Sequence, residues 1–168
     1  GWNQESTNVV SNLNINPIYT AITYNISYDL DGGLATNPTT YNVETPTITL
    51  QPASKDGFTF DGWYDNTDTK VTEIQLGSFG HIDLLAKYTI KPVSVAITGN
   101  SAITYGEGNV TLTANVTHDL SSLATYKWYK NGVEIIGNTT NQVILSNVLD
   151  SGTYKVVVSI TKDGQTTT

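Results

Sequence analysis

A mostly β fold is predicted by three observations on the 168 residues. Apolar side chains recur at every second position, turn-forming pairs interrupt these runs at short intervals, and no window carries an apolar stripe at helical spacing. A two-residue period puts successive side chains on opposite faces of an extended chain, so each run can bury one face and solvate the other.

The first run places Ile22, Tyr24, Ile26, Tyr28 and Leu30 on one face and Thr23, Asn25, Ser27 and Asp29 on the other. The same rhythm marks Val93-Val95-Ile97, Val110-Leu112-Ala114-Val116 and Tyr154-Val156-Val158-Ile160. Thr, Val, Ile and Tyr suit a pleated, half-buried surface. Between the runs stand Asp31-Gly32-Gly33, Asn37-Pro38, Asp56-Gly57, Asp61-Gly62, Asn131-Gly132 and Asp163-Gly164, each read as a turn. The most helix-tolerant stretches, His118 to Ala124 and Thr72 to Leu76, are too short to stand alone.

Charge and composition exclude several classes. Eight Lys and no Arg against 15 Asp and Glu give a net charge of −7, and charged residues make up 14% of the chain, against roughly 25% in ordinary soluble domains. With neutral polar groups covering most of the surface and no basic run, nucleic acid and anionic membrane are poor partners. The absence of Cys removes disulfide scaffolds, Cys-based zinc sites and thiol catalysis. No apolar stretch approaches the roughly 18 residues of a membrane span.

The chain reads as two modules preceded by part of a third. The first module covers residues 23–90, and Lys91-Pro92 marks its edge, because proline fixes φ and removes a donor. The second covers 91–168, and its last strand, Gln165 to Thr168, is short. Gly1-Trp2 echoes Gly62-Trp63, and Ile18 to Thr23 echoes Leu84 to Thr89, so residues 1–22 read as the back half of a preceding repeat.

Residues 23–90 carry a more specific pattern. It runs through Tyr28-Asp29-Leu30-Asp31-Gly32-Gly33, Asn37-Pro38-Thr39, Glu44 to Leu50, Lys55-Asp56-Gly57-Phe58-Thr59-Phe60-Asp61-Gly62-Trp63-Tyr64 and Leu85-Ala86-Lys87-Tyr88. This stretch resembles the Listeria–Bacteroides repeat, also called the internalin B-type repeat. Tyr88 stands where that family usually has Trp. The resemblance implies a small β-grasp-like module of a bacterial surface or secreted protein, in tandem and without catalytic residues. Residues 91–168 resemble a cysteine-free immunoglobulin-like β-sandwich. Tyr126-Lys127-Trp128 looks like the strand with the buried Trp, and Asp150-Ser151-Gly152-Thr153-Tyr154 looks like a tyrosine corner. Ala114 and Val156 then take the two cysteine positions.

Each candidate for chemistry has a plainer explanation. Asp29-Leu30-Asp31-Gly32, and Asp61, Asp65 and Asp68 around Trp63, offer carboxylates for calcium, but neither set completes a calcium loop and Asp is a favoured turn residue before Gly. His81 and His118 stand in no recognisable nucleophile motif. Lys127 or Lys155 with Asn115 and Glu134 could be drawn as an isopeptide crosslink, but both lysines fall on the polar phase of their strands. Trp63, Tyr64 and Phe58 could form a sugar-stacking platform, but the core is the stronger assignment for Trp63 and Phe58, since a module of about 70 residues without disulfides needs its large aromatics there. Tyr64, on the opposite phase from Trp63, is the one candidate ligand contact.

No catalytic residue, cofactor or metal is assigned. Trp63, Ala114, Trp128, Tyr154 and Val156 are assigned structural roles. The expected function is a non-catalytic extracellular pair of modules, at a bacterial cell surface or secreted, acting as a stalk or spacer in adhesion. The alternative is a carbohydrate- or protein-binding module. Expected partners are neighbouring modules of the same longer chain, with a host-surface protein or glycan for the binding alternative, and neither nucleic acid nor an inserted membrane.

Overall fold

The computed structural model describes residues 12, 16–102, 108–146 and 148–168. It is mostly β, as the alternation predicts. The strands are β1 (Tyr24–Asp29), β2 (Thr40–Tyr41), β3 (Ile48–Thr49), β4 (Phe58–Tyr64), β5 (Lys70–Val71), β6 (Glu73–Ile74) and β7 (Ile82–Ile90). After these come β8 (Ser94–Thr98), β9 (Val110–Thr117), β10 (Thr125–Lys130), β11 (Val133–Glu134), β12 (Gln142–Leu145), β13 (Tyr154–Lys162) and β14 (Gln165–Thr167). Among the described residues, helix is limited to single 3-10 turns at Ser121–Leu123 and Val148–Asp150. Of the two helix-tolerant stretches, one holds the first of these turns, whereas Thr72 to Leu76 contains β6 paired with β3 through Ile48 and Ile74.

The described residues form two compact units, one within 1–31, 35–53 and 62–86, the other within 32–34, 54–61 and 87–168. In the first unit β1 and β7 pair in parallel, Ile26 opposite Ile82 and Asp29 opposite Leu85. A parallel pair needs a long connection, and here that connection carries β2 to β6. Ile26, Tyr41, Leu50, Ala53, Trp63, Ile74, Leu84 and Ala86 are its buried apolar residues. The sheet order is β2-β1-β7-β4-β5, with β3 and β6 forming a separate pair.

One predicted turn is corrected. Asp61-Gly62 lies inside β4 rather than between strands. Phe58 and Trp63 are both buried although strict alternation would put positions five apart on opposite faces. The phase slips at Gly62, whose φ of 148° favours glycine. A glycine after Asp therefore marks an irregularity within a strand here, not a reversal.

In the second unit two sheets, β11-β10-β13-β14 and β12-β9-β8, face each other across one core. Val110, Ala114, Val143 and Leu145 come from one sheet and Trp128, Val156 and Val158 from the other. Their strand order is that of an immunoglobulin-like sandwich. Asn131-Gly132 and Asp163-Gly164 have positive φ at both residues (49° and 83°, 50° and 74°), the geometry of tight two-residue hairpins. Lys55 also belongs to this unit. Its ammonium lies 4.7 Å from the Phe58 ring centroid and 2.9 Å from the Asp163 carboxylate.

The repeat echo at the start of the chain lies partly outside the described residues, Gly1 and Trp2 among them. Within the described part, Ile18, Tyr19 and Ile22 are exposed.

Candidate functional site

The long strand β4 sets the position of Trp63. Its ring is buried, its Nε1 donates to the Gln51 carbonyl at 2.8 Å, and Tyr28 meets it edge-on at 5.0 Å between centroids. Tyr64, next along β4, is half-buried. Tyr88 is buried against Phe58 and Phe60, with centroids 6.4 and 5.7 Å away. Trp63, Phe58 and Tyr88 are taken up by packing, whereas Phe60 and Tyr64 in β4 are both half-buried.

In the sandwich, Trp128 is fully buried and donates from Nε1 to the Thr140 carbonyl at 3.0 Å. Ala114 and Val156 lie in the same buried cluster, and Trp128 pairs directly with Val156 across β10 and β13. Tyr154 donates its hydroxyl to the Asp150 carbonyl at 2.6 Å. Lys127 and Lys155 are exposed, and the Asn115 side-chain amide donates to Thr98 Oγ1 at 2.7 Å.

The carboxylates form turns. Asp29 Oδ1 accepts from the Asp31 N–H at 3.0 Å. Asp65 Oδ1 accepts from the Thr67 hydroxyl at 2.7 Å and from the N–H groups of Thr67 and Thr69 at 2.9 Å each. The Thr67 hydroxyl, followed by the Thr69 N–H, holds the Asp65 carboxyl below the usual carboxylate range. Among the described residues no three His, Asp or Glu side chains are grouped to hold a metal ion.

The structure assembles one cluster that the sequence does not suggest. Parallel pairing puts Ser27 opposite Asp83. His81 reaches both, with Nε2 at 2.9 Å from Asp83 Oδ1 and 3.3 Å from Ser27 Oγ, while Nδ1 lies 3.0 Å from the Asn25 carbonyl. In a serine nucleophile site the histidine bridges serine and carboxylate through opposite ring nitrogens. Here both meet the same nitrogen, and the other faces main chain, so no proton relay from Ser27 to Asp83 runs through the ring. His81 and Asp83 border an open groove of about 460 Å³ that also includes Asp65 and Glu73. The cluster ties β1 to β7 and gives the groove an acidic rim.

The buried β4 aromatics, the Asp31-Gly32 turn and the parallel β1–β7 pair belong to one contiguous segment. Residues 24–87 match the Listeria-Bacteroides repeat domain. This repeat family is typical of bacterial surface proteins. No curated protein and no solved structure matches the chain. Among the described residues no helix is long and apolar enough to cross a membrane, which says nothing of β-barrels. Tyr88 lies one position beyond the matched segment and closes the ring cluster with Phe58 and Phe60.

Proposed function

We propose that this chain is a non-catalytic, extracellular pair of modules that serves as a spacer in adhesion, its repeat β-grasp-like and its second module immunoglobulin-like. The observation that carries this reading is the match of residues 24–87 to a family of surface-protein modules. Two physical features support it. Trp63 and Phe58, two of the aromatics that could stack on a sugar, are buried in packing, although Phe79 and Tyr19 are exposed. His81, Ser27 and Asp83 meet without the geometry of a nucleophile site. A low density of charged groups among neutral Thr, Asn and Ser also limits electrostatic nonspecific association at a surface.

A second reading, a carbohydrate- or protein-binding module, is favoured by the acid-rimmed groove at His81 and by half-buried Tyr64. The two are separated by a binding survey of the chain against immobilised glycans and extracellular-matrix proteins. The spacer reading expects no saturable binding. Saturable binding lost in Tyr64→Ala or Asp83→Asn, with unchanged melting temperature, would replace it with the second.

A further inference from the structure

The loop between β6 and β7 holds large apolar side chains in solvent. Phe79 is 78% exposed and Leu76 62%, and Val43, in the connection from β2 to β3, is 41% exposed. The loop is fastened at several points. Leu76 N–H donates to Thr47 Oγ1 at 3.2 Å, Gly77 N–H to the Val43 carbonyl at 3.2 Å, and Ser78 N–H to the Gln75 carbonyl at 3.1 Å. At its far end the hydroxyl of buried Tyr41 donates to the Gly80 carbonyl at 2.6 Å. The bond from Gly77 brings Val43 beside the loop, so the three apolar residues share one corner. Single exposed apolar residues need no explanation, but three on a fastened corner form a patch. A backbone already held in place also lowers the ordering cost of binding.

The chemistry of a partner follows from what adjoins this corner. Gln75, Ser78 and His81, from the same loop, line the groove of about 460 Å³. Val71 and Ile82 give the groove apolar walls, and Asp65, Glu73 and Asp83 give it three carboxylates. Among the described residues no Lys lines it. A long basic side chain joins an apolar stem to a cationic head, which matches both kinds of wall. An acidic partner would meet like charge here, and so would an anionic membrane, on a chain whose net charge is −7.

We propose that this corner of the repeat is a docking surface for a basic peptide segment of a partner protein. A Lys or Arg of the segment enters the groove, its stem against Val71 and Ile82 and its head among the carboxylates of Asp65, Glu73 and Asp83. A neighbouring aromatic or aliphatic residue of the segment covers Phe79 and Leu76. The apolar anchor supplies the contact that excludes water, and the charges set orientation and selectivity. This goes beyond the spacer reading and deepens the protein-binding one, on which it rests.

The test selects random peptides displayed on phage against the chain, then titrates the enriched peptides by fluorescence anisotropy. Enriched sequences are expected to carry Lys or Arg beside an aromatic or aliphatic residue. Phe79→Ser, and separately the pair Glu73→Gln with Asp83→Asn, are expected to weaken binding at least about tenfold at unchanged melting temperature. Binding is also expected to fall as salt rises from about 0.05 to about 0.5 M. No enrichment, enriched peptides without basic residues, or equal binding by Phe79→Ser would overturn the proposal. So would a concentration-dependent dimer abolished by Phe79→Ser, which makes a second copy the occupant, or binding to neutral phosphatidylcholine vesicles through Phe79, which makes it a lipid surface. Peptides whose binding is lost in Tyr64→Ala but kept in Phe79→Ser would retain the protein-binding reading and overturn this surface alone.

Discussion

The Tyr154 hydroxyl donates to the Asp150 carbonyl at 2.6 Å, tying the start of β13 to the 3-10 turn four residues before it. Asp150 is also fixed from the other side, since its Oδ2 accepts from the Ser146 N–H at 2.8 Å. Tyr154→Phe removes one hydrogen bond and keeps the ring, so the expected loss is about 0.5–1.5 kcal/mol in urea unfolding. An unchanged unfolding free energy would mean the bond contributes nothing net.

Trp128 is the centre of the sandwich. Trp128→Ala removes the only fully buried indole of this unit and orphans the Thr140 carbonyl it caps. The expected cost is about 3–5 kcal/mol, a large share of a small domain's stability. A variant melting within a degree or two of wild type would contradict the description of this core.

The local parts of this fold are legible in the residues, and the nonlocal parts are not. Alternation at Tyr154 to Ile160 and the pairs Asn131-Gly132 and Asp163-Gly164 specify strand and hairpin within a few residues, because backbone conformation there is set by the residues themselves. The His81 cluster depends on contacts between positions 54 apart, which only the parallel register of β1 and β7 creates. Gly62 misleads for a related reason. Asp-Gly favours a reversal in isolation, and sheet pairing on either side of it keeps the chain extended with a slipped phase.

Gly33 tests close packing rather than backbone freedom. A methyl group there would run into the Tyr88 hydroxyl and lie 2.8 Å from the Ser54 carbonyl oxygen. Leu34 and Ser54 exchange main-chain hydrogen bonds at 2.8 Å, so the carbonyl cannot easily retreat. Gly33→Ala is expected to cost about 1–3 kcal/mol, read as a lower urea midpoint at unchanged slope. A neutral substitution would show that Tyr88 can move aside freely.

Acid should weaken the Asp65 turn. The carboxyl is held below its ordinary range by the Thr67 hydroxyl first and the Thr69 N–H next. The unfolded chain therefore binds the proton more readily in acid, and stability rises with pH there. The contribution is fully present above the ordinary carboxylate range and is lost as pH falls through the lowered folded value. Unfolding free energies at about pH 6 and about pH 3 should differ more for wild type than for Asp65→Asn. Identical pH dependence in the two would exclude a role for this turn.

The spacer proposal is tested most directly in the cell that makes the protein. Residues 24–168 are replaced by an unrelated β-module pair of equal length, and adhesion is measured beside wild type and a simple deletion of the same residues. A spacer holds other parts at a distance and is indifferent to the identity of its own surface. The replacement should therefore retain adhesion, and the deletion should lose it. Loss of adhesion in the replacement, at wild-type surface abundance, would contradict the spacer reading and place recognition in these residues themselves.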